Sequence, residues 1–304
     1  MNFLRYRIIY FIFSGILVLG CLFVLFFWGL KPGIEFTGGT LIDIGYKDQR
    51  PSVDAIKQAL AEFDFKNLEI KMIGEKSINL RINEKNISND LQQQISDKLK
   101  TIGEIEENSL QFETISPIIG KELSTKTQIV TILSILVIVL YIAIAFRRVS
   151  KPISSWQYGI ASLLTLSHDI LIPLAAFAVL GKYYDVQITI PVVTALLVIV
   201  GYAINDKIVV FDRIRENLLR RRGGMGYEEI VNASLNQTLA RCINTSLTVM
   251  ITLLALYFFG GETLKYFSLT LILGVGFGTY SSLFLASPIL VTWLRRRERK
   301  IAKR

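Results

Sequence analysis

Residues 8–30 read IIYFIFSGILVLGCLFVLFFWGL, 23 consecutive positions without a charged side chain. At about 1.5 Å per residue a helix of that length reaches ~35 Å, enough to cross a hydrocarbon core of ~30 Å. The stretch is too long for a signal-peptide core, and no small-residue cleavage site precedes the next polar segment, so it reads as an uncleaved anchor. Val18-Leu19-Gly20-Cys21 has a lipoprotein-like spacing. The strongly apolar residues after Cys21 argue against lipidation there.

Working outward, a hydrophilic stretch spans 32–126, and five more apolar segments follow: Thr127–Phe146, Ser155–Leu180, Val186–Val210, Thr238–Phe259 and Tyr266–Leu294. The pattern predicts a polytopic α-helical membrane protein with six transmembrane helices and an external α+β domain between helices 1 and 2. Its divisions are an N-terminus with the first span (1–31), the external domain (32–126), spans two to six (127–294) and a basic tail (295–304). Composition agrees: 51% of the residues are hydrophobic and only 19% are charged, against about a quarter in soluble domains. Seven prolines and 21 glycines exclude collagen-like or low-complexity chains. Two cysteines, Cys21 and Cys242, both in apolar stretches, define no disulfide framework. With a single histidine, His168, no metal site and no cofactor is expected.

The net charge of +9 is a statement about topology. Arg5 and Arg7, then Arg147, Arg148 and Lys151, then Lys207, Arg213, Arg215, Arg220, Arg221, Arg222 and Arg241, and finally the tail from Arg295 to Arg304, all fall on one side of a six-span layout. The two short loops opposite carry Lys182 and Lys265, and the hydrophilic domain has more acidic than basic residues. Basic loops stay in the cytoplasm, which puts both termini inside and the large domain outside. A nucleic-acid partner is not expected. The basic tail has the chemistry to touch anionic lipid.

The hydrophilic domain alternates in a readable order. Thr40–Tyr46 reads as a strand, Ser52 caps a helix carrying Val53, Ile56, Leu60 and Phe63, and Leu68–Ile73 and Ser77–Ile82 form a hairpin across Gly74-Glu75-Lys76. Ser88–Leu99 is a second helix and Leu110–Ile115 a last strand. The order β-α-β-β-α-β predicts a ferredoxin-like unit. Its carboxylates fall where a solvated surface puts them, so it reads as a mechanical or binding module.

Ionisable groups at membrane depth are expensive and are functional candidates by default. The third span holds His168 and Asp169, with Ser162 and Thr165 on the same face. The fourth holds Asn205 and Asp206, and the fifth carries Gln237, Arg241, Asn244, Thr245, Thr248 and Thr252 at spacings of three and four. If Asp206 faces Arg241, protonation of the acid frees the guanidinium and alters helix packing, which makes a relay. The other reading is a static pair that anchors two helices. Lys207, beside Asp206, points to another side of its helix and can snorkel inward. His168-Asp169 reads equally as helix packing or proton conduction. Gly274 and Gly278 form a GxxxG face for close helix approach.

Several motifs resemble one family. Gly33-Ile34-Glu35-Phe36-Thr37-Gly38-Gly39 follows the first span, and Ile119-Gly120-Lys121-Glu122-Leu123 precedes the second. The block Gly201-Tyr202-Ala203-Ile204-Asn205-Asp206 continues to Asn217, and Gln237 to Ser246 follows at the family's distance. These resemble the SecF members of the SecD/SecF protein-export family, within the resistance-nodulation-division superfamily. The resemblance implies half of a twelve-span unit, with SecD supplying the other half, and a transport subunit rather than an enzyme. It implies proton or sodium flow that moves external domains and draws a preprotein outward at the SecYEG translocon, with its accessory membrane subunits, in the bacterial cytoplasmic (inner) membrane. By the same resemblance Asp206 and Arg241 are ion-coupling residues, lined by Asn205, Asn244 and Thr245, with His168 and Asp169 as an accessory relay. Gly33, Glu35, Phe36, Gly38 and Gly39 form a structural motif. The relay reading is strengthened accordingly. Two positions depart from the family pattern: Glu35 stands where Asp is usual, and Lys207 where a small or hydroxylated residue is usual.

Half of a small-molecule exporter from the same superfamily is the alternative, opposed by the small external domain and by Asn205-Asp206 in place of paired aspartates. An intramembrane hydrolase built on His168, Asp169 and Asp206 lacks the paired acid signatures such enzymes use. A catalytically inert scaffold for the channel predicts that Asp206→Asn still supports export.

Overall fold

The computed structural model describes residues 2–65, 68–82, 87–107, 109–145, 153–220 and 226–302. Arg147, Arg148, Lys151, Arg221, Arg222, Lys303 and Arg304 of the charge argument lie outside the described residues. The chain divides into two compact units, one of Met1–Lys31 with Val130–Arg304, the other Pro32–Ile129.

In the hydrophilic unit, two serines start the helices. Ser52 accepts a hydrogen bond from the Ala55 N–H at the head of α3 (Val53–Leu60), and Ser88 accepts one from the Leu91 N–H at the head of α4 (Asn89–Thr101). Both satisfy orphan donors of the first turn. The strands β1 (Gly39–Gly45), β2 (Leu68–Ile73), β3 (Ser77–Ile82) and β4 (Gln111–Ile115) form one antiparallel sheet in the order β2-β3-β1-β4. Thr40 pairs with Ile82 and Thr114, Ile42 with Leu80 and Phe112. That register stacks Ile42, Ile44, Ile78, Leu80 and Ile82 on one face, where they pack with Ile56, Leu60, Ile95 and Leu99. The ferredoxin-like order expected from the sequence is observed.

Gly38 and Gly39 close this unit. A short helix α2 (Ile34–Thr37) precedes them, with Gly33 as its N-cap and Glu35 in its first turn. Gly38 has φ +76° and Gly39 φ +131°, conformations that favour glycine. A Cβ on Gly38 would lie 2.7 Å from Pro117 Cα, and one on Gly120 would lie 2.9 Å from the Gly38 nitrogen. The backbone around Phe36–Gly38 and the start of the following helix therefore touch directly, which explains why both stretches are glycine-bearing. Arg81, almost buried, donates to Thr37 Oγ1 at 3.0 Å and ties β3 to the same turn.

Tyr46 is 1% exposed, and its hydroxyl lacks a hydrogen-bond partner among the described residues. Burial pushes the phenol up to about 12 from 10.0. A raised acid gives stability that is complete below pH 10 and is lost as the pH climbs to about 12. Tyr46→Phe removes an unsatisfied buried hydroxyl and should be neutral or stabilising by about 1 kcal/mol. Its denaturation midpoint should lose the alkaline fall over that window, as chemical denaturation at a series of pH values would read.

The other unit is helical. α1 (Arg7–Trp28), the part of α5 (Pro117–Ala145) from Val130 onward, α6 (Ser155–Tyr184), α7 (Ile190–Leu219), α8 (Tyr227–Phe259), α9 (Gly261–Ser281) and α10 (Ser287–Ala302) account for it, with a π-helical turn at Ser282–Ala286 between the last two. Six helical stretches among the described residues are long and apolar enough to cross a membrane. Their outward residues are apolar rather than charged, as at Ile8, Ile16, Leu133, Val137 and Ile251, the pattern of a lipid-facing surface. α6 starts with a capping box, Ser154 N–H donating to Gln157 Oε1 at 2.8 Å, and ends at Asp185 in the left-handed region, where Asp185 pairs with Lys31. Inside α6, Pro173 supplies no N–H for the carbonyl of Asp169.

Three spans run well beyond their sequence-derived limits. α5 begins ten residues earlier than Thr127, at Pro117, which suits a first helical position. α7 and α8 continue past Val210 and start before Thr238. Their polar extensions pair through Arg213 to Gln237 at 2.6 Å and Asn217 to Ser234 at 2.8 Å. α9 crosses α7 closely at the GxxxG face: a Cβ on Gly274 would lie 2.2 Å from Ile199 Cδ1, and one on Gly278 3.3 Å from Ala203 Cβ.

Candidate ion-coupling site

Asp206 sits on the buried side of α7 and is 2% exposed. Its Oδ2 accepts from Ser246 Oγ of α8 and from Thr279 Oγ1 of α9, each at 3.4 Å. The two hydroxyls are 2.5 Å apart, and Tyr202 OH donates to Ser246 at 3.3 Å. Both contacts to the carboxylate are long for O–H···O bonds, whose usual distance is about 2.7–2.8 Å. The acid is enclosed yet loosely held. Among the described residues no cation forms an ion pair with it.

Asp169 is held in the opposite manner. It is 0% exposed, and its Oδ2 accepts from Lys207 Nζ at 2.7 Å and from Ser281 Oγ at 2.8 Å. Its Oδ1 lies 3.1 Å from His168 Nδ1. Lys207, also 0% exposed, gives a further hydrogen bond to the Ala203 carbonyl at 3.1 Å. Snorkelling of Lys207, the sequence-based expectation, is corrected here. One residue beyond Asp206 turns the side chain by about 100° around the helix, towards α6, where a buried carboxylate neutralises it.

Among the described residues no ion pair or hydrogen bond joins Asp206 to Arg241, although the charge of the guanidinium acts on the carboxylate through space. Ser246 is the α8 residue that reaches Asp206, and five positions separate it from Arg241, or about 140° of helix rotation. Arg241, Asn244, Thr245, Thr248 and Thr252 are exposed along one side of α8, and Asn205 is exposed on α7. Thr245 turns its hydroxyl back to the Arg241 carbonyl at 2.9 Å. The sequence-derived site thus splits: Asp206 inside, Arg241, Asn205, Asn244 and Thr245 on an open polar face, His168 and Asp169 in a separate closed cluster. Gly33, Glu35, Phe36, Gly38 and Gly39 belong to the other unit. Ser246, Thr279, Tyr202 and Ser281 carry contacts that residue type alone did not single out.

Residues 94–296 match the family described as protein export membrane protein SecD/SecF, C-terminal, and residues 23–49 match the SecD/SecF GG motif. The chain is 39% identical to the protein translocase subunit SecF of Thermobaculum terrenum, covering 96% of this chain and 94% of that one. It is 33% identical to the corresponding Haemophilus influenzae subunit, covering 99% and 88%. Among solved structures it superposes on the crystal structure of SecDF, a translocon-associated membrane protein from Thermus thermophilus, with a TM-score of 0.80 at 33% identity. That match takes in 96% of this chain and 38% of the Thermus chain. The chain belongs to the SecD/SecF family of multi-pass protein-export membrane proteins, and within it to the SecF type.

Proposed function

We propose that this subunit works beside SecD and converts ion flow through the membrane into movement of external domains that draw a preprotein outward. Both termini then lie in the cytoplasm, with 32–126 on the outer side, as the basic residues require. One observation carries the reading: a buried carboxylate, Asp206, bonded loosely by hydroxyls from two other helices and without an ion-paired cation among the described residues.

Each hydroxyl has one proton to give. An ionised Asp206 draws the proton of Ser246 or Thr279, and the other hydroxyl donates across their 2.5 Å contact. A protonated Asp206 must itself donate, so one hydroxyl turns to accept, and Thr279 is released to its alternative acceptor, the Val275 carbonyl at 2.9 Å. A charge change at Asp206 therefore rewrites the contacts that join α7, α8 and α9. The open polar face of α8 supports SecD as the partner. An arginine at membrane depth costs roughly 2.5–3.5 kcal/mol on insertion scales, and Arg241 forms no ion pair within its own chain among the described residues.

Each unit charge crossing 100 mV supplies about 2.3 kcal/mol, so export should follow the imposed gradient. In vesicles holding this chain, SecD and the SecYEG channel, collapsing the proton or sodium gradient should lower completion of precursor translocation about tenfold. Equal rates with and without a gradient would refute the coupling.

A further inference from the structure

Lys207 and Asp169 are a buried charge pair that the coupling scheme above does not use. We propose that Lys207 is a tethered cation that keeps Asp169 out of ion exchange, leaving Asp206 as the one acid in this subunit's helical unit that trades its charge. The inference rests on the reading of Asp206 as the coupling carboxylate and specifies how the neighbouring acid is silenced.

The geometry supports this in three ways. First, the ammonium takes the place of an exchangeable ion: it sits 2.7 Å from a carboxylate oxygen and 3.1 Å from a backbone carbonyl oxygen. Ser281 donates to the same carboxylate oxygen and holds it in place. Second, the side chain is bonded to α7 through its own backbone, so the nitrogen cannot diffuse away as a free ion does. Third, Asp169 accepts short hydrogen bonds from Lys207 and Ser281, whereas Asp206 has only long contacts.

The surroundings of Asp169 contain few other titratable groups. His168 lies on its own helix, Lys207 and Asp206 on α7, and Tyr280 on α9, its ring 6.2 Å from that of His168. On α8, Cys242 is buried and Arg241 is exposed; on α1, Cys21 packs against Ile172 and Ala175 of α6. Lys207 is therefore the cation that neutralises Asp169. The Asp169–Ser281 hydrogen bond also joins two weak points in the helices. Asp169 is the residue whose carbonyl loses its helical donor to Pro173, and Ser281 is the last residue before the π turn.

Lys207→Met, Asp169→Asn and the double variant test the inference in the reconstituted complex with SecD, with co-purification of SecD recorded for each. Breaking a buried pair from one side leaves an uncompensated charge, so each single variant should export about tenfold or more slowly at neutral pH. A proton can replace the missing ammonium in Lys207→Met, so its export should recover on acidification. The double variant contains neither charge. It should export within about twofold of the unaltered complex, with the same dependence on the gradient and no recovery on acidification. A double variant that co-purifies with SecD but does not export would overturn the proposal, because the pair would then be part of the ion path. So would a Lys207→Met complex that matches the unaltered one at every pH. Asp206→Asn in parallel separates the two ideas: normal export by that variant defeats the coupling role of Asp206, whatever the Lys207 series shows.

Discussion

Asp206→Asn should leave the subunit folded and bound to SecD while cutting gradient-driven precursor release by about tenfold or more, to the rate seen without a gradient. Asparagine has the same shape, and its carbonyl oxygen still accepts from Ser246 and Thr279, both 3.4 Å from the native carboxylate. Packing is therefore preserved. What is lost is the ability to alternate between an acceptor-only group and a donor, on which the rearrangement of the two hydroxyls depends. A loss confined to the rate of precursor binding is not expected, since no precursor group needs to approach this residue. Asp206→Glu should be intermediate: it retains an acid, but its extra methylene has to fit beside Cys242 and Ala203 in a packed core. Precursor release from vesicles, with SecD co-purification as the assembly control, measures both.

The second large effect is at Arg241. Its side of α8 is polar from Arg241 to Thr252, yet exposed within this chain, and in hydrocarbon such a face needs a partner. The account places a SecD carboxylate or other polar acceptor against it. Arg241→Gln then leaves that group without its charge, a change that costs about 3–5 kcal/mol for a buried pair. Co-purification with SecD should weaken, and export should fall about tenfold or more in whatever complex forms. Arg241→Lys keeps the charge but not the planar fork and should recover only part of the activity. If Arg241→Gln assembles and exports normally, the guanidinium merely reaches for the membrane surface, and the face is not an interface.

Much of this architecture was legible in the chain because length and period are local properties. The first span needed only an uncharged run, and the sheet needed only alternation at Leu41–Ile44 and Ser77–Ile82 with capping serines at Ser52 and Ser88. Helix ends were harder to read. Lys121, Glu122 and Lys126 make the start of α5 look like loop, although Glu122 and Lys126 form an i, i+4 ion pair at 2.7 Å that supports a helix. The amphipathic start of α8 is hidden for the same reason: Gln237 and Ser234 find partners on α7, not in the membrane.

The identity of Asp206 as a buried acid was legible, but its neighbours were not. Helical spacing shows that Arg241, Asn244 and Thr245 share a side; it does not say which side of α8 meets α7. Packing chose the side of Cys242 and Ser246, both buried. Thr279 and Ser281 look like ordinary hydroxyls that bond back to their own helix, and both have such a carbonyl within reach, Val275 and Gly278. Only the close approach of α9 at Gly274 and Gly278 brings them to two carboxylates. Lys207 was misjudged because its partner lies 38 positions earlier in the chain.

The central claim is that a change of charge at Asp206 carries the energy of the gradient into movement. Its most direct measurement compares precursor release by the unaltered and Asp206→Asn complexes in matched vesicles as the ion gradient is raised stepwise from zero. The account expects release by the unaltered complex to climb with the gradient and release by the variant to stay flat at the zero-gradient rate. Two curves that rise together would contradict it.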